Sequence, residues 1–301
     1  MKTQQPKELG GVSWLRDLDA ATEISKKSKK PILLFFQEIP GCSTCVNYGK
    51  DVLSHPLMVE VIENEFVPVL IHNNKSGYDE KVLKMFNEPP WNNPVTYFLN
   101  EKLESIIPKL ENNYSPFSLH AKITNTLQSL KKEVPLYFHL LKKDLAIQYK
   151  QTITAMYETP CFWSGETTFA QHKAVYSTLP GFVGSKEVVQ IEFDSLTTTK
   201  NELDDFAKQQ GFFIMPDNLK IRVDKDPQYY LKKTNYKYLP LSLSQKSLIN
   251  LAIPYKTDPK IYLSPKQLFW LNKKCLPELS HPQAYTLPIA QAWEFLENIS
   301  F

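Results

Sequence analysis

Residues 30–45 read KPILLFFQEIPGCSTC, and this stretch predicts the fold of the amino-terminal part of the chain. The run from Pro31 to Phe36 is continuously apolar, which is typical of a strand buried on both faces of a sheet. A turn at Ile39-Pro40-Gly41 follows, and Cys42 and Cys45 then open a stretch with helical character. The sequence therefore predicts a buried strand that leads through a short loop to two cysteines at the start of a helix.

The segments on either side of this stretch alternate between helix and strand. Further strands are expected at 66–72, 94–99 and 103–107, with a closing helix at 115–131. Alternation of this kind favours an α/β domain.

Beyond residue 150 the order changes, and strands predominate. They are expected at 152–157, 174–178, 188–193 and 220–223, with helical windows between them. This order favours an α+β sandwich. The segment at 135–150 is compatible with a helix or with a strand.

The composition is that of an ordinary globular chain with two domains. Of the 301 residues, 42% are hydrophobic and 22% are charged, and the net charge is +3. These values exclude disorder, collagen and coiled coil, and they predict neither a nucleic-acid partner nor a membrane span. The start of the sequence has no apolar stretch of the signal-peptide type, so a cytoplasmic location is expected. We predict domains at 1–132 and 133–301.

The spacing of Cys42 and Cys45 indicates redox chemistry. A helix N-terminus favours a thiolate at the first cysteine, and three residues of helical spacing bring the second sulfur within reach of a disulfide. The alternative is one half of a zinc site. That site needs two more ligands, and the sequence offers neither a second C-x-x-C nor a close Cys/His pair, so no metal is predicted.

Residues 12–130 resemble the thioredoxin superfamily, through the strand at 30–36, the C-x-x-C turn and Asn93-Pro94-Val-Thr-Tyr-Phe. The resemblance implies that Pro94 has a cis peptide bond and faces the dithiol. The Ile-Pro-Gly before Cys42 departs from the usual tryptophan-containing loop. This departure leaves the redox potential and the partner of the dithiol open.

A second cysteine motif, Pro160-Cys161-Phe162-Trp163-Ser-Gly-Glu, lies at a predicted strand-to-helix junction. A thiol at such a position is suited to a low pKa, and the two aromatic residues could line a small apolar pocket. Taken by themselves, the same aromatics are more often found in core packing.

This motif is similar to the active-site motif of the A-type peptide-methionine sulfoxide reductases. Three further blocks follow in the family's order, at 175–184, 187–194 and 224–229. The resemblance covers about 150–260 and implies a ferredoxin-like two-layer α+β sandwich. It departs from the family at Pro160, at the short 185–186 turn where the family has a loop with a second tyrosine, and at Tyr230-Leu231.

Carried over residue by residue, the resemblance implies a nucleophile, a substrate pocket, an acid and one tyrosine donor. Cys161 would attack the sulfoxide sulfur, and Phe162 and Trp163 would hold the S-methyl group. Glu187 would protonate the departing oxygen and Tyr229 would hydrogen-bond to it. Asp224 would fix the polar network of the site, whereas Glu166 is expected to be structural.

Attack on a sulfoxide would leave Cys161 as a sulfenic acid, which condenses with a thiol. Cys275 is the candidate resolving cysteine, with an inert cysteine as the alternative. Cys42 could also attack the oxidised Cys161, with Cys45 resolving the mixed disulfide. No cofactor is expected beyond an external thiol or a thioredoxin-type reductant.

The sequence therefore predicts thiol-dependent reduction of methionine-S-sulfoxide, free or in oxidised proteins. Two alternatives stay open. One is a thiol–disulfide oxidoreductase whose second domain only binds targets, and the other is a non-catalytic redox-sensing or chaperone-like binding protein.

Overall fold

A computed structural model describes residues 5–299 and divides the chain into two compact units. The first unit ends at Phe138 and the second begins at His139. The division lies within one helix, a few residues after the boundary at 132 and 133 that the sequence predicted. Within residues 5–299, no helix combines the length and the apolar content needed to cross a bilayer.

Within the described residues 5–138, the first unit contains four strands and five complete α-helices. The strands are β1 (Ile32–Gln37), β2 (Val67–His72), β3 (Val95–Leu99) and β4 (Ser105–Leu110). The helices are α1 (Leu18–Ser28), α2 (Ser43–Asp51), α3 (Pro56–Glu65), α4 (Tyr78–Met85) and α5 (Pro116–Ser129). All four predicted strands are present, with β4 shifted toward its C-terminal side.

These strands form one mixed sheet with the order β2-β1-β3-β4. β1 is parallel to β2, with Leu34 opposite Val69, and antiparallel to β3, with Leu34 opposite Tyr97. β1 is therefore central. All six of its residues are buried, which explains why its sequence is apolar throughout instead of alternating.

The two faces of β1 pack against different helices. Ile32, Leu34 and Phe36 belong to a core that also contains residues of α1 and α4. On the other face, Phe35 stacks on Tyr48 of α2 at 5.8 Å. α2 is thereby held directly against the sheet, next to the loop that follows β1.

The helix α6 (Leu136–Gln148) spans the division between the units. It occupies the segment at 135–150, whose sequence was compatible with either a helix or a strand. The remaining strands are β5 (Ile153–Glu158), β6 (Val175–Val183), β7 (Lys186–Phe193), β8 (Phe213–Met215) and β9 (Arg222–Val223). The remaining helices are α7 (Phe162–Ala170), α8 (Lys200–Gln209), α9 (Tyr229–Lys232), α10 (Leu243–Ala252), α11 (Pro265–Leu271), α12 (Leu276–Leu279) and α13 (Ile289–Glu297).

The second unit is built on an antiparallel sheet with the order β8-β5-β7-β6-β9. Alternate residues of β7 point to opposite faces. Val189 and Ile191 join a core with residues of α7 and α8, which therefore lie on the same face. The mixed helix-and-sheet content agrees with the expected class, and the finer ferredoxin-like assignment stays a prediction.

Gly165 of α7 lies very close to the sheet. A Cβ added there would lie 2.8 Å from Thr159 Cγ2 and 2.9 Å from Val189 Cγ2. We expect Gly165→Ala to lower the free energy of unfolding by about 1–3 kcal/mol, the usual cost of overpacking. Urea unfolding measures the change, with the exposed neighbour Ser164→Ala as the matched control. A Gly165→Ala protein as stable as the control would contradict the close packing.

Candidate functional site

The first candidate site is the pair of cysteines that follows β1. Cys42 is the residue immediately before α2, and its carbonyl accepts the first hydrogen bond of the helix, from the N–H of Val46 at 3.1 Å. Its thiol is exposed. Because the first N–H groups of a helix have no partner within the helix, a sulfur at this position lies in a field that favours negative charge.

Cys45 lies in the first turn of α2 and has no exposed surface. Its sulfur is 3.7 Å from the Cys42 sulfur, and both cysteines are free thiols. A small rotation of either side chain would bring the sulfurs to the bonding distance of a disulfide. The Cys42 sulfur is therefore accessible to a partner molecule, whereas the Cys45 sulfur is accessible only to the Cys42 sulfur.

The surroundings shift the pKa values of the two thiols in opposite directions. The backbone N–H of Cys45 donates to the Cys42 sulfur, and this is the main contact that lowers the pKa of Cys42. Burial, together with the hydrogen bond and the charge of Cys42, raises the pKa of Cys45 to about 12. Cys42 is therefore the better nucleophile of the pair, and Cys45 is protonated in the free dithiol.

Three polar residues that sequence reasoning did not single out surround the dithiol. The side-chain oxygen of Asn93 lies 2.8 Å from the Cys45 sulfur. A carboxylate oxygen of Glu38 lies within 4.8 Å of both sulfurs. The buried Glu8 accepts a hydrogen bond from the N–H of Gly41 at 2.8 Å and so holds the loop before Cys42.

The peptide bond between Asn93 and Pro94 is cis, as the sequence predicted. Because Asn93 contacts Cys45, Pro94 lies in the segment that runs beside the dithiol. A second cis bond, between Ile39 and Pro40, occurs in the loop before Cys42 and was not predicted.

The second candidate site is Cys161, the residue immediately before α7. It is half-buried, and its carbonyl accepts the N–H of Gly165 at 3.0 Å. A carboxylate oxygen of Glu187 accepts the N–H of Phe162 at 3.0 Å. The structure thus brings Glu187, at the start of β7, to the same helix end as Cys161.

Aromatic rings from several elements meet at Phe162 and Trp163, the two residues that follow Cys161. Phe162 and Trp163 meet edge to face with ring centres 5.8 Å apart, and Phe162 also contacts Phe182 of β6. Trp163 stacks on Tyr229 with ring centres 3.8 Å apart. The indole N–H of Trp163 is buried and has no hydrogen-bond partner within the described residues. Because its ring stacks on Trp163, Tyr229 is part of this aromatic cluster.

A buried polar contact fixes the segment that carries Tyr229. The side-chain amide of Gln228 donates to Glu166 of α7 at 2.9 Å and to the carbonyl of Thr178 at 3.1 Å. Burial raises the pKa of Glu166 well above its ordinary value, and the nearby charge of Asp224 acts in the same direction. Glu166 therefore links α7 to Gln228, and the structural role expected for it stays a prediction.

Two predicted site residues are not placed in this aromatic cluster. Within residues 5–299, no hydrogen bond joins the Asp224 carboxylate to Cys161, and Asp224 instead lines the cavity described next. Cys275 immediately precedes α12, and its thiol is half-buried and free. The proposed roles of both residues stay predictions.

The second unit also has a cavity of about 390 Å³ that the sequence did not predict. Gln190 and Glu192 of β7 line it, and since they alternate with Val189 and Ile191, it lies on the sheet face opposite the α7 core. Its wall includes the buried Lys246, whose pKa burial lowers to about 8. The lining comes from several distant segments, so no local motif reveals it.

Comparison with known proteins gives a match in the first unit. Residues 13–100 match the family model described as Thioredoxin-like. No curated protein matches the chain. The solved structure titled DsbH Oxidoreductase is 15% identical with a TM-score of 0.34, over 42% of this chain and 92% of its own. A thioredoxin from Thermus thermophilus is 16% identical with a TM-score of 0.33, over 38% and 85%. Residues 13–100 are therefore a thioredoxin-like domain.

Proposed function

We propose that this protein is a thiol–disulfide oxidoreductase that reacts through Cys42 and Cys45. The observation that carries the proposal is the asymmetry of the pair. An exposed sulfur at the start of α2 lies 3.7 Å from a sulfur that is buried. Such a pair can react with a partner through one sulfur only, and it can then release that partner through the other.

The reaction begins when the Cys42 thiolate attacks one sulfur of a target disulfide. A bond forms between Cys42 and the target, the disulfide of the target breaks, and the second target sulfur leaves and takes up a proton. Cys45 then loses its proton and attacks the Cys42 sulfur, which releases the first target sulfur as a thiol. The target gains two electrons and the dithiol loses two. An external thiol or a thioredoxin-type reductant restores the dithiol.

The test is a variant that cannot carry out the second step, the attack of Cys45 on the mixed disulfide. In a Cys45→Ser protein, Cys42 still attacks, but nothing releases the target, so a covalent complex with one target molecule should accumulate. Mass spectrometry of the protein incubated with a small disulfide measures the added mass and maps it to Cys42. The Cys275→Ser protein is the control and should not accumulate the adduct. Absence of an adduct on Cys42 in the Cys45→Ser protein would contradict the proposal.

A second activity, reduction of methyl sulfoxides at Cys161, is favoured by the arrangement of Glu187. Its carboxylate reaches the N–H next to Cys161, where it could deliver a proton to a sulfoxide oxygen while the sulfur attacks. The cluster of Phe162, Trp163 and Tyr229 supplies an apolar wall for a methyl group. The match to a known family covers residues 13–100 only, so this activity is argued from the side chains around Cys161.

In this reaction the Cys161 sulfur bonds to the sulfoxide sulfur, and the oxygen is protonated by Glu187. The bond between the sulfoxide sulfur and its oxygen then breaks and the hydroxyl group passes to the Cys161 sulfur. The bond between the two sulfurs breaks in the same step, so that the sulfide is released and Cys161 becomes a sulfenic acid. A thiol then displaces water from it to give a disulfide. Cys42 or Cys275 could supply that thiol, and the Cys42 and Cys45 pair would return the enzyme to the reduced state. The physiological setting proposed for both activities is the reducing cytoplasm.

A further inference from the structure

We propose that the reduced Cys42 and Cys45 pair also binds one divalent metal ion of the zinc type, with a Glu38 carboxylate oxygen as the third protein ligand. The site consists of two sulfurs and one oxygen that lie within 4.8 Å of one another. Among the residues that the structure describes, no other three histidine, cysteine or acidic side chains bring their ligand atoms this close together.

The spacing of the two sulfurs already suits a tetrahedral ion. With a zinc–sulfur bond of about 2.3 Å, two thiolates on one tetrahedral zinc lie about 3.8 Å apart. The observed separation is 3.7 Å. The backbone of the C-x-x-C turn therefore needs no rearrangement to offer both sulfurs to one metal.

Glu38 needs only a side-chain movement to join them. A sulfur and a carboxylate oxygen on the same tetrahedral zinc are about 3.5 Å apart. The Glu38 oxygen lies within 4.8 Å of each sulfur, so a rotation of the Glu38 side chain is enough to reach the zinc-binding distance. Glu38 is half-buried in the loop just after β1. Within residues 5–299 it forms no ion pair with a lysine or arginine, so its carboxylate is available.

Gly41 allows this loop to fold over the dithiol. A Cβ at position 41 would lie 2.5 Å from the Glu38 carbonyl oxygen and 2.6 Å from the Cys45 Cβ. Only a residue without a side chain brings Glu38 and Cys45 this close. The loop geometry thus places the Glu38 carboxylate beside the two sulfurs.

The chemistry of the three atoms selects the kind of metal. Thiolates are soft ligands that prefer zinc and similar ions to magnesium or calcium. Two thiolates and one carboxylate carry three negative charges, which a divalent ion reduces to one. Three protein ligands leave a fourth position for water.

Metal binding would regulate the dithiol, and this consequence rests on the proposed function. A sulfur bound to zinc cannot attack a disulfide, and a disulfide cannot bind zinc. Zinc should therefore inhibit disulfide reduction reversibly, whereas oxidation should release the metal. The binding itself does not depend on that activity.

The test is titration of the reduced full-length chain with Co²⁺ under anaerobic conditions. We expect one equivalent to produce the intense visible bands of a tetrahedral cobalt site together with sulfur-to-metal charge transfer, and zinc to displace it. Cys161→Ser and Cys275→Ser should leave these bands unchanged. The oxidised chain and the Cys45→Ser protein should lack them.

Glu38→Gln keeps the shape of the side chain and isolates the third ligand. Loss of a group next to a metal ligand commonly weakens binding 10–100-fold, so loss of the ligand itself should weaken it at least about tenfold. Glu101→Gln, an exposed residue of the same unit, is the matched control for charge, and circular dichroism checks the fold. Equal affinity in Glu38→Gln, or no cobalt bands in the reduced chain, would overturn the inference. Disulfide reduction without metal binding would refute this inference alone, whereas metal binding without disulfide reduction would refute the proposed function alone.

Discussion

Replacing Cys42 by serine is expected to abolish disulfide reduction by the full-length chain. A serine hydroxyl has the shape of the thiol but cannot form the mixed disulfide, and Cys45 cannot replace it because it has no exposed surface. Loss of a catalytic nucleophile commonly costs several orders of magnitude, so the rate should fall at least about 10³-fold.

The rate of reduction of a protein disulfide by a small thiol, with and without the chain, measures this effect. Cys161→Ser is the matched control, since it removes a thiol from the other unit and should leave the rate unchanged. If Cys42→Ser retained the wild-type rate while Cys161→Ser lost it, the oxidoreductase site would be Cys161 and the proposal for Cys42 would be wrong.

Replacing Cys161 by serine is expected to abolish any reduction of methyl sulfoxides. Only a sulfur can form the bond to the sulfoxide sulfur and carry the oxygen away as a sulfenic acid. The remaining rate should be at least about 10³-fold lower than that of the wild-type chain. Chromatographic measurement of the sulfide formed from a small methyl sulfoxide checks this result.

Glu187→Gln removes the proposed proton donor but keeps the nucleophile Cys161, and it is tested in the same assay. Loss of a general acid typically costs about 10²–10⁴-fold. Glu192→Gln on the same strand is the control, because Glu192 bonds to Thr152 and Thr154 instead. Equal activity of Glu187→Gln and wild type would remove Glu187 from the mechanism, and absence of sulfoxide turnover in the wild-type chain would refute this second activity altogether.

The first unit was largely predictable from local sequence patterns. The apolar run at 31–36 is typical of a strand covered on both faces, and the C-x-x-C indicated the start of α2. The neighbours of the dithiol were not predictable in this way. Glu38 and Asn93 approach Cys45 from opposite ends of a stretch of more than fifty residues, and a single acidic or amide residue carries no signal of its position in space.

The second unit shows where local patterns fail. β8 has three residues, which is too short for an alternation of apolar and polar residues to be recognised, whereas β9 lies within the strand predicted at 220–223. Glu187 was placed beside Cys161 only through a resemblance, and the structure does bring the two together. No local pattern indicates the cavity with Lys246, because its walls come from elements that are far apart in the chain.

The difference in exposure between Cys42 and Cys45 also determines how the pair withstands peroxides. A peroxide arriving from solvent meets Cys42 and converts it to a sulfenic acid. The sheltered sulfur of Cys45, 3.7 Å away, then closes the disulfide with loss of water. Irreversible over-oxidation requires a second peroxide to arrive before this closure. Cys45 therefore keeps the oxidation of Cys42 reversible.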